Sequence, residues 1–183
     1  SYLYYADRIY QINLAIAGIA IGTVALPELS KKIKEGNIPE IINIQNKSME
    51  LCLLLSIPAC LGLIIASEQI TSALFGYGSF LEGDVILTAQ ALKYFGYGVP
   101  AFALIKVLSN FFFARDNTKT PFYISVFSVV LNILISVIYF QELGFIIIPI
   151  ATSIATWCAV VIYLILLLRF KYFNAGFVFC INF

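Results

Sequence analysis

The sequence predicts an all-α, polytopic membrane helix bundle with about five transmembrane helices, and three observations carry that prediction. The 183 residues are 61% hydrophobic and 11% charged, against about 45–50% and about 25% in soluble domains, and the mean hydropathy is +0.95. Five stretches approach the roughly 20 apolar residues that a bilayer crossing needs. The segments joining them alternate in charge. A soluble domain of 20.3 kDa has too little interior to hide so much apolar surface.

The stretches run over about 9–29, 51–75, 88–114, 122–140 and 145–168. Each must be a helix, because lipid offers no partner for the backbone groups of an isolated strand. Pro27, Pro58, Pro100 and Pro149 fall inside these spans; they would break soluble helices but are tolerated in membrane bundles. After the first, third and fifth spans come Lys31, Lys32, Lys34 and Lys47, then Arg115 and Lys119, then Arg169 and Lys171. The segments 76–84 and 141–144 hold only Glu82, Asp84 and Glu142. Eight of the eleven basic residues thus lie on one side, which the positive-inside rule makes cytoplasmic. Loops 30–48, 115–121 and 169–173 are therefore expected in the cytoplasm, and the first span enters from the other face.

Composition also excludes classes of function. A formal charge of +1 leaves no basic footprint for nucleic acid. The absence of His rules out His-based triads and His-ligated metals. Cys52, Cys60, Cys158 and Cys180 form no CxxC pair, and three of them sit in apolar runs, as small buried hydrophobes do. No spaced acid pair or nucleophile–base set occurs in the spans, so the chain is not expected to be an enzyme, and no cofactor or metal is expected. Ser1 stands close to an apolar stretch with neither initiator Met nor signal peptide, which reads as the middle of a longer protein.

Arg8, Lys93 and Lys106 are the basic residues left in or beside the spans, where charge is expensive and marks function by default. Arg8 shares a helical face with Tyr4, Gln11, Ala15, Gly18 and Gly22. That face is either an interfacial Arg on a packing surface, with a GxxxG step at Gly18 and Gly22, or the border of a cavity that accepts an anion. Lys106 precedes Arg115 by nine residues, about 13 Å of helix, too deep for easy snorkelling; a cavity or buried-pair role is expected. Lys93 lies nearer the span edge and reads as interfacial. Asn132, Ser136 and Thr152 belong to interhelical hydrogen bonds or, more weakly, to a cation site made of uncharged oxygens.

Several motifs in order resemble one family. Tyr4-Tyr5-Ala6-Asp7-Arg8-Ile9-Tyr10-Gln11, then Gly18 to Val24 and Leu26-Pro27-Glu28-Leu29-Ser30, are similar to the start of the second lobe in the MurJ (MviN) family. Leu74-Phe75-Gly76-Tyr77-Gly78-Ser79-Phe80 resembles its LFxxGxF loop. Lys106-Val107-Leu108 leading to Phe112–Pro121 resembles its span-end motif. The resemblance implies the last five or so helices of the second lobe of a MOP-superfamily transporter over 1–173, with a truncated tail at 174–183 and the first, N-terminal lobe absent. It implies lipid II, the undecaprenyl-pyrophosphate-linked peptidoglycan precursor, as substrate, flipped by alternating access across the bacterial inner membrane within the full-length protein. Membrane lipids and the missing lobe are the other partners. It matches Arg8 to the family's cavity arginine in this lobe and Asp7 to its neighbouring acid, with Gln11 and Lys106 as further head-group candidates. Asn13 stands where the family often has Pro, and Ser136 where a sodium-binding carboxylate would be expected. Another exporter of the superfamily, for drugs or lipid-linked oligosaccharides, and a non-transporting structural membrane subunit are the alternatives.

Overall fold

The computed structural model describes residues 2–14, 20–75 and 82–172. Among them the regular elements are helices: α1 (Tyr2–Leu14), α2 (Ala20–Glu35), α3 (Ile38–Ile65), α4 (Ser67–Phe75), α5 (Glu82–Phe113), α6 (Lys119–Leu143) and α7 (Ile147–Arg169). A 3-10 turn at Gly144–Ile146 joins the last two. Three stretches of the described residues are long and apolar enough to cross a membrane: Ile38–Ile65, Val85–Phe113 and Lys119–Arg169. The third contains both α6 and α7. The predicted first span, 9–29, falls on α1, α2 and residues 15–19, which lie outside the described residues, as do 76–81 and the predicted tail 174–183.

Two expected boundaries need correction. The stretch 30–48, expected as a loop, is helical except at Gly36 and Asn37. Gly36 takes φ +70°, which glycine adopts freely. The amides of Gly36 and Asn37 then turn back to Ile33 and Lys32 carbonyls at 3.1 and 3.2 Å, the Schellman closure of a helix end. Asn37 caps α3 by accepting from the Glu40 amide at 3.4 Å, and Pro39 occupies the first turn, where no donor is needed. The lysines at 31, 32, 34 and 47 suggested a loop, but they ride on two helices joined by this capped turn. The expected span 51–75 is likewise the end of α3 plus α4, offset at Ala66. The Ala66 amide still reaches Gly62 O at 2.9 Å, and the Ile70 amide reaches Ala66 O at 2.8 Å.

Side-chain pairings fix the helix directions. Ser153 Oγ donates to Tyr94 O at 2.9 Å and Trp157 Nε1 to Tyr97 O at 3.0 Å. Both numbers climb together, so α7 runs parallel to α5. Asn132 pairs with Thr152, and Ser128 Oγ donates to Ala155 O at 3.4 Å; α6 is antiparallel to α7. Ala6 and Ile9 pack with Leu92 and Phe95, and Gly22 meets Asn110, so α1 and α2 run with α5. Leu63 lies against Gly96, while Cys52 joins Leu108 and Phe111, so α3 opposes α5. Helices on odd and even predicted spans therefore point in opposite senses, as the alternation of charge demands.

α5 is the axis of the bundle. Leu92, Val99, Val107, Leu108, Phe111 and Phe112 are fully buried along it, packed by α1–α4 on one side and α7 on another. Pro100 removes one backbone donor from this helix, and the α7 bonds to the Tyr94 and Tyr97 carbonyls tie down the two turns that precede it. α6 is arranged the other way round. Phe122, Val126, Val129, Ile133, Val137 and Phe140 are exposed, while Ser128, Asn132 and Ser136 are partly covered against α7. Such a helix suits a lipid-facing position, where association rests on packing and interhelical hydrogen bonds rather than on escape from water.

Candidate functional site

The structure divides the predicted site residues between two levels of the bundle. On α1, Ala6 and Ile9 turn inward and are buried, which leaves Tyr4, Arg8 and Gln11 exposed along the opposite side, one helical turn apart. Arg8 Nη2 donates to the Tyr4 hydroxyl at 2.9 Å, and the guanidinium carbon stands 5.0 Å from the Tyr4 ring centroid. The phenol thus holds the guanidinium by both its oxygen and its ring. Gln11 Nε2 donates to the half-buried Asp7 carboxylate one turn back. Asp7 and Arg8, adjacent in sequence, point apart and form no ion pair. Arg8 therefore has no carboxylate partner among the described residues, and most of its five N–H donors remain available to an oxyanion.

Gly22 stands at the small-residue end of the predicted Arg8 face. It is buried against α5, where a Cβ would run into Asn110 Nδ2 and lie 3.9 Å from the Lys106 carbonyl. The polar stripe of Tyr4, Arg8 and Gln11 thus gives way to a close helix contact by the time the chain reaches α2. Gly18 and Ala15 lie outside the described residues.

Lys106 is exposed on α5, beside Gly22 and Asn110 and far from Arg8 along the bundle axis. Ile9, beside Arg8, shares a buried cluster with Leu92, Phe95 and Val99; Lys106 is eleven residues beyond Phe95, the middle of that group, about 16 Å at 1.5 Å per residue. Lys106 also lacks a carboxylate partner among the described residues. Lys93 is exposed near the start of α5.

The uncharged polar residues of α6 and α7 are hydrogen-bonded to one another and to their own helices. Asn132 Nδ2 donates to Thr152 Oγ1 at 2.9 Å, Ser136 Oγ donates to Asn132 Oδ1 at 3.3 Å, and Thr152 Oγ1 donates to Ile148 O at 2.7 Å. Thr156 Oγ1 continues the chain to Thr152 O at 2.6 Å. One of these contacts, Asn132 to Thr152, is the interhelical hydrogen bond expected as one of the two readings; the others run within α6 or within α7.

Two polar features escaped sequence reading. Arg115, taken as a mere orientation signal, is half-buried: Nη1 donates to Phe111 O at 2.7 Å and Nη2 to Tyr172 O at 3.1 Å. Its guanidinium lies 4.5 Å from the Tyr172 ring centroid, and burial pulls its pKa down from the ordinary arginine value. It locks the end of α5 to the chain leaving α7. Asn110 is the second, and its one legible signal was the four-residue step from Lys106.

Comparison with known proteins matches residues 1–180 to the family described as lipid II flippase MurJ. A probable lipid II flippase MurJ from Rickettsia prowazekii (strain Madrid E) is 43% identical over 157 residues, covering 86% of this chain and 31% of that protein. One from Rhizobium tropici is 41% identical over 155 residues, covering 85% and 29%. A solved structure, of lipid II flippase MurJ in an inward closed conformation, superposes with a TM-score of 0.84 at 30% identity over 95% of this chain and 36% of that one. The chain thus spans about three tenths of the length of the curated relatives it matches. Its apolar helices and these matches make it a multi-pass membrane protein.

Proposed function

Because this chain belongs to the lipid II flippase MurJ family, we propose that it forms part of a transporter that flips lipid II across the bacterial inner membrane. The match of nearly its whole length to that family carries the reading. The segment corresponds to most of the second lobe, and it works only together with a first lobe. Lipid II bears a pyrophosphate, and a guanidinium without a carboxylate partner, exposed on a helix of an apolar bundle, is the chemistry that binds it. Arg8 is the principal group, steered by Tyr4; Asp7 and Gln11 form a neighbouring polar pair for the sugar head group. The two lobes rock about a central cavity while the lipid tail stays in the bilayer. The Lys- and Arg-rich ends of the helices face the cytoplasm.

This is transport rather than catalysis: the charged groups offer binding, with no bond made or broken. The ordered match over the whole segment argues against a drug or oligosaccharide exporter and against a non-transporting subunit. Reconstitution of the complete protein in vesicles tests the reading. Lipid II should change leaflets and a lipid-linked oligosaccharide of different head group should not; the reverse preference would overturn it.

A further inference from the structure

A groove of about 290 Å³ lies in the seam between α2 and α5, lined by Gly22, Thr23, Leu26, Lys106, Asn110 and Phe113. Lys106 and Asn110 stand one turn apart on the same helical face. The Asn110 amide nitrogen reaches toward α2 into the place that a Cβ at position 22 would take; glycine there is what lets the amide keep this position in the seam. Lys106 lies within the apolar run of α5, about 13 Å before Arg115, with no carboxylate partner among the described residues. An ammonium at that depth calls for a counter-charge, and the groove beside it is lined by an amide donor rather than an acid.

We propose that Lys106 Nζ and Asn110 Nδ2 form a second oxyanion station that receives a phosphate or pyrophosphate group, about 16 Å along the bundle from Arg8. The ammonium supplies charge and the amide supplies direction, a charge-assisted pair suited to phosphoryl oxygens. The proposal rests on the flippase reading and deepens it. The station lies in the half of the bundle nearer the Lys- and Arg-rich ends, so it holds the head group when the cavity opens to that side, and Arg8 holds it nearer the opposite face. Asn110 is then a positioning residue for the ligand, and Gly22 keeps its place open.

The test measures binding of undecaprenyl pyrophosphate, and separately of inorganic pyrophosphate, to the complete protein in detergent. Lys106→Met and the near-isosteric Asn110→Asp should each weaken binding about tenfold or more, as loss of a charge-assisted contact does, while Lys106→Arg stays close to the parent. Equal losses for both ligands assign the station to the pyrophosphate itself; losses confined to the lipid-linked form assign it to the lipid-borne head group. Parental binding in both Lys106→Met and Asn110→Asp, with binding lost in Arg8→Ala, would overturn the station and leave the flippase reading standing. Lys106→Arg as weak as Lys106→Met, with Asn110→Asp unaffected, would also overturn it by exposing a structural role. A parent that binds neither ligand would sink both.

Discussion

Lys32 Nζ lies 2.6 Å from a Glu40 carboxylate oxygen and 3.0 Å from Glu35, so one ammonium fastens the end of α2 to the first turn of α3. Those two bonds push the Lys32 pKa up to about 12, and the bond to Lys32 holds the Glu35 carboxyl below its ordinary value. The Lys32 contribution is therefore present at neutral pH and lost as pH climbs through about 12. The Glu35 contribution is present above the ordinary carboxylate range and lost as pH falls through its lowered value. The groups are solvent-exposed and the pair is screened. Lys32→Met should lower the thermal midpoint slightly at neutral pH and low salt, with the difference erased in about 1 M NaCl and at strongly acid pH. A difference unchanged by salt would mean that the Lys32 stem, not its charge, holds the turn.

Gly98 lies where α5 packs against α7. A Cβ there would stand 2.8 Å from Ser153 Oγ and 3.0 Å from Phe102 Cε2, displacing the hydroxyl that bonds Tyr94 O. Overpacking of this kind costs about 1–3 kcal/mol, against a helix-propensity gain of about 1 kcal/mol. Gly98→Ala should lower the unfolding midpoint in detergent. Gly62→Ala should hold or raise it, since Gly62 faces open space. Equal responses of the two variants would contradict the packing seen here.

Much of this was legible from sequence, and the misses have definite causes. The long apolar run of α5 and the alternating basic ends announce the bundle and its helix directions. The start of α3 was hidden because Lys31, Lys32, Lys34 and Lys47 were read as loop charges, whereas the cue that mattered was Gly36-Asn37 followed by Pro39. Three- and four-residue steps placed Tyr4 and Gln11 beside Arg8 correctly. Gly22, at the small-residue end of that face, is turned into α5, the close helix approach that the packing reading of the GxxxG step expected. Asn110 went unnoticed because its importance comes from a glycine on another helix, which no local pattern reports.

The Asn132–Thr152 bond predicts a small, measurable coupling. A double-mutant cycle with Asn132→Ala and Thr152→Ala should give about 0.6 kcal/mol in unfolding free energy, the usual value for interhelical hydrogen bonds in membranes. Transport by either variant should respond to sodium as the parent does. A variant whose sodium response disappears would revive the cation site at Asn132, Ser136 and Thr152.

Arg8 tests the account most directly. The measurement is lipid II translocation by the complete protein, alongside its ability to support growth, for Arg8→Ala, Arg8→Lys and Tyr4→Phe. Arg8→Ala should abolish both, Arg8→Lys should retain a fraction because a point charge replaces a forked donor set, and Tyr4→Phe should be milder because the aromatic face remains. Full translocation and full growth with Arg8→Ala would contradict the claim that this guanidinium binds the pyrophosphate.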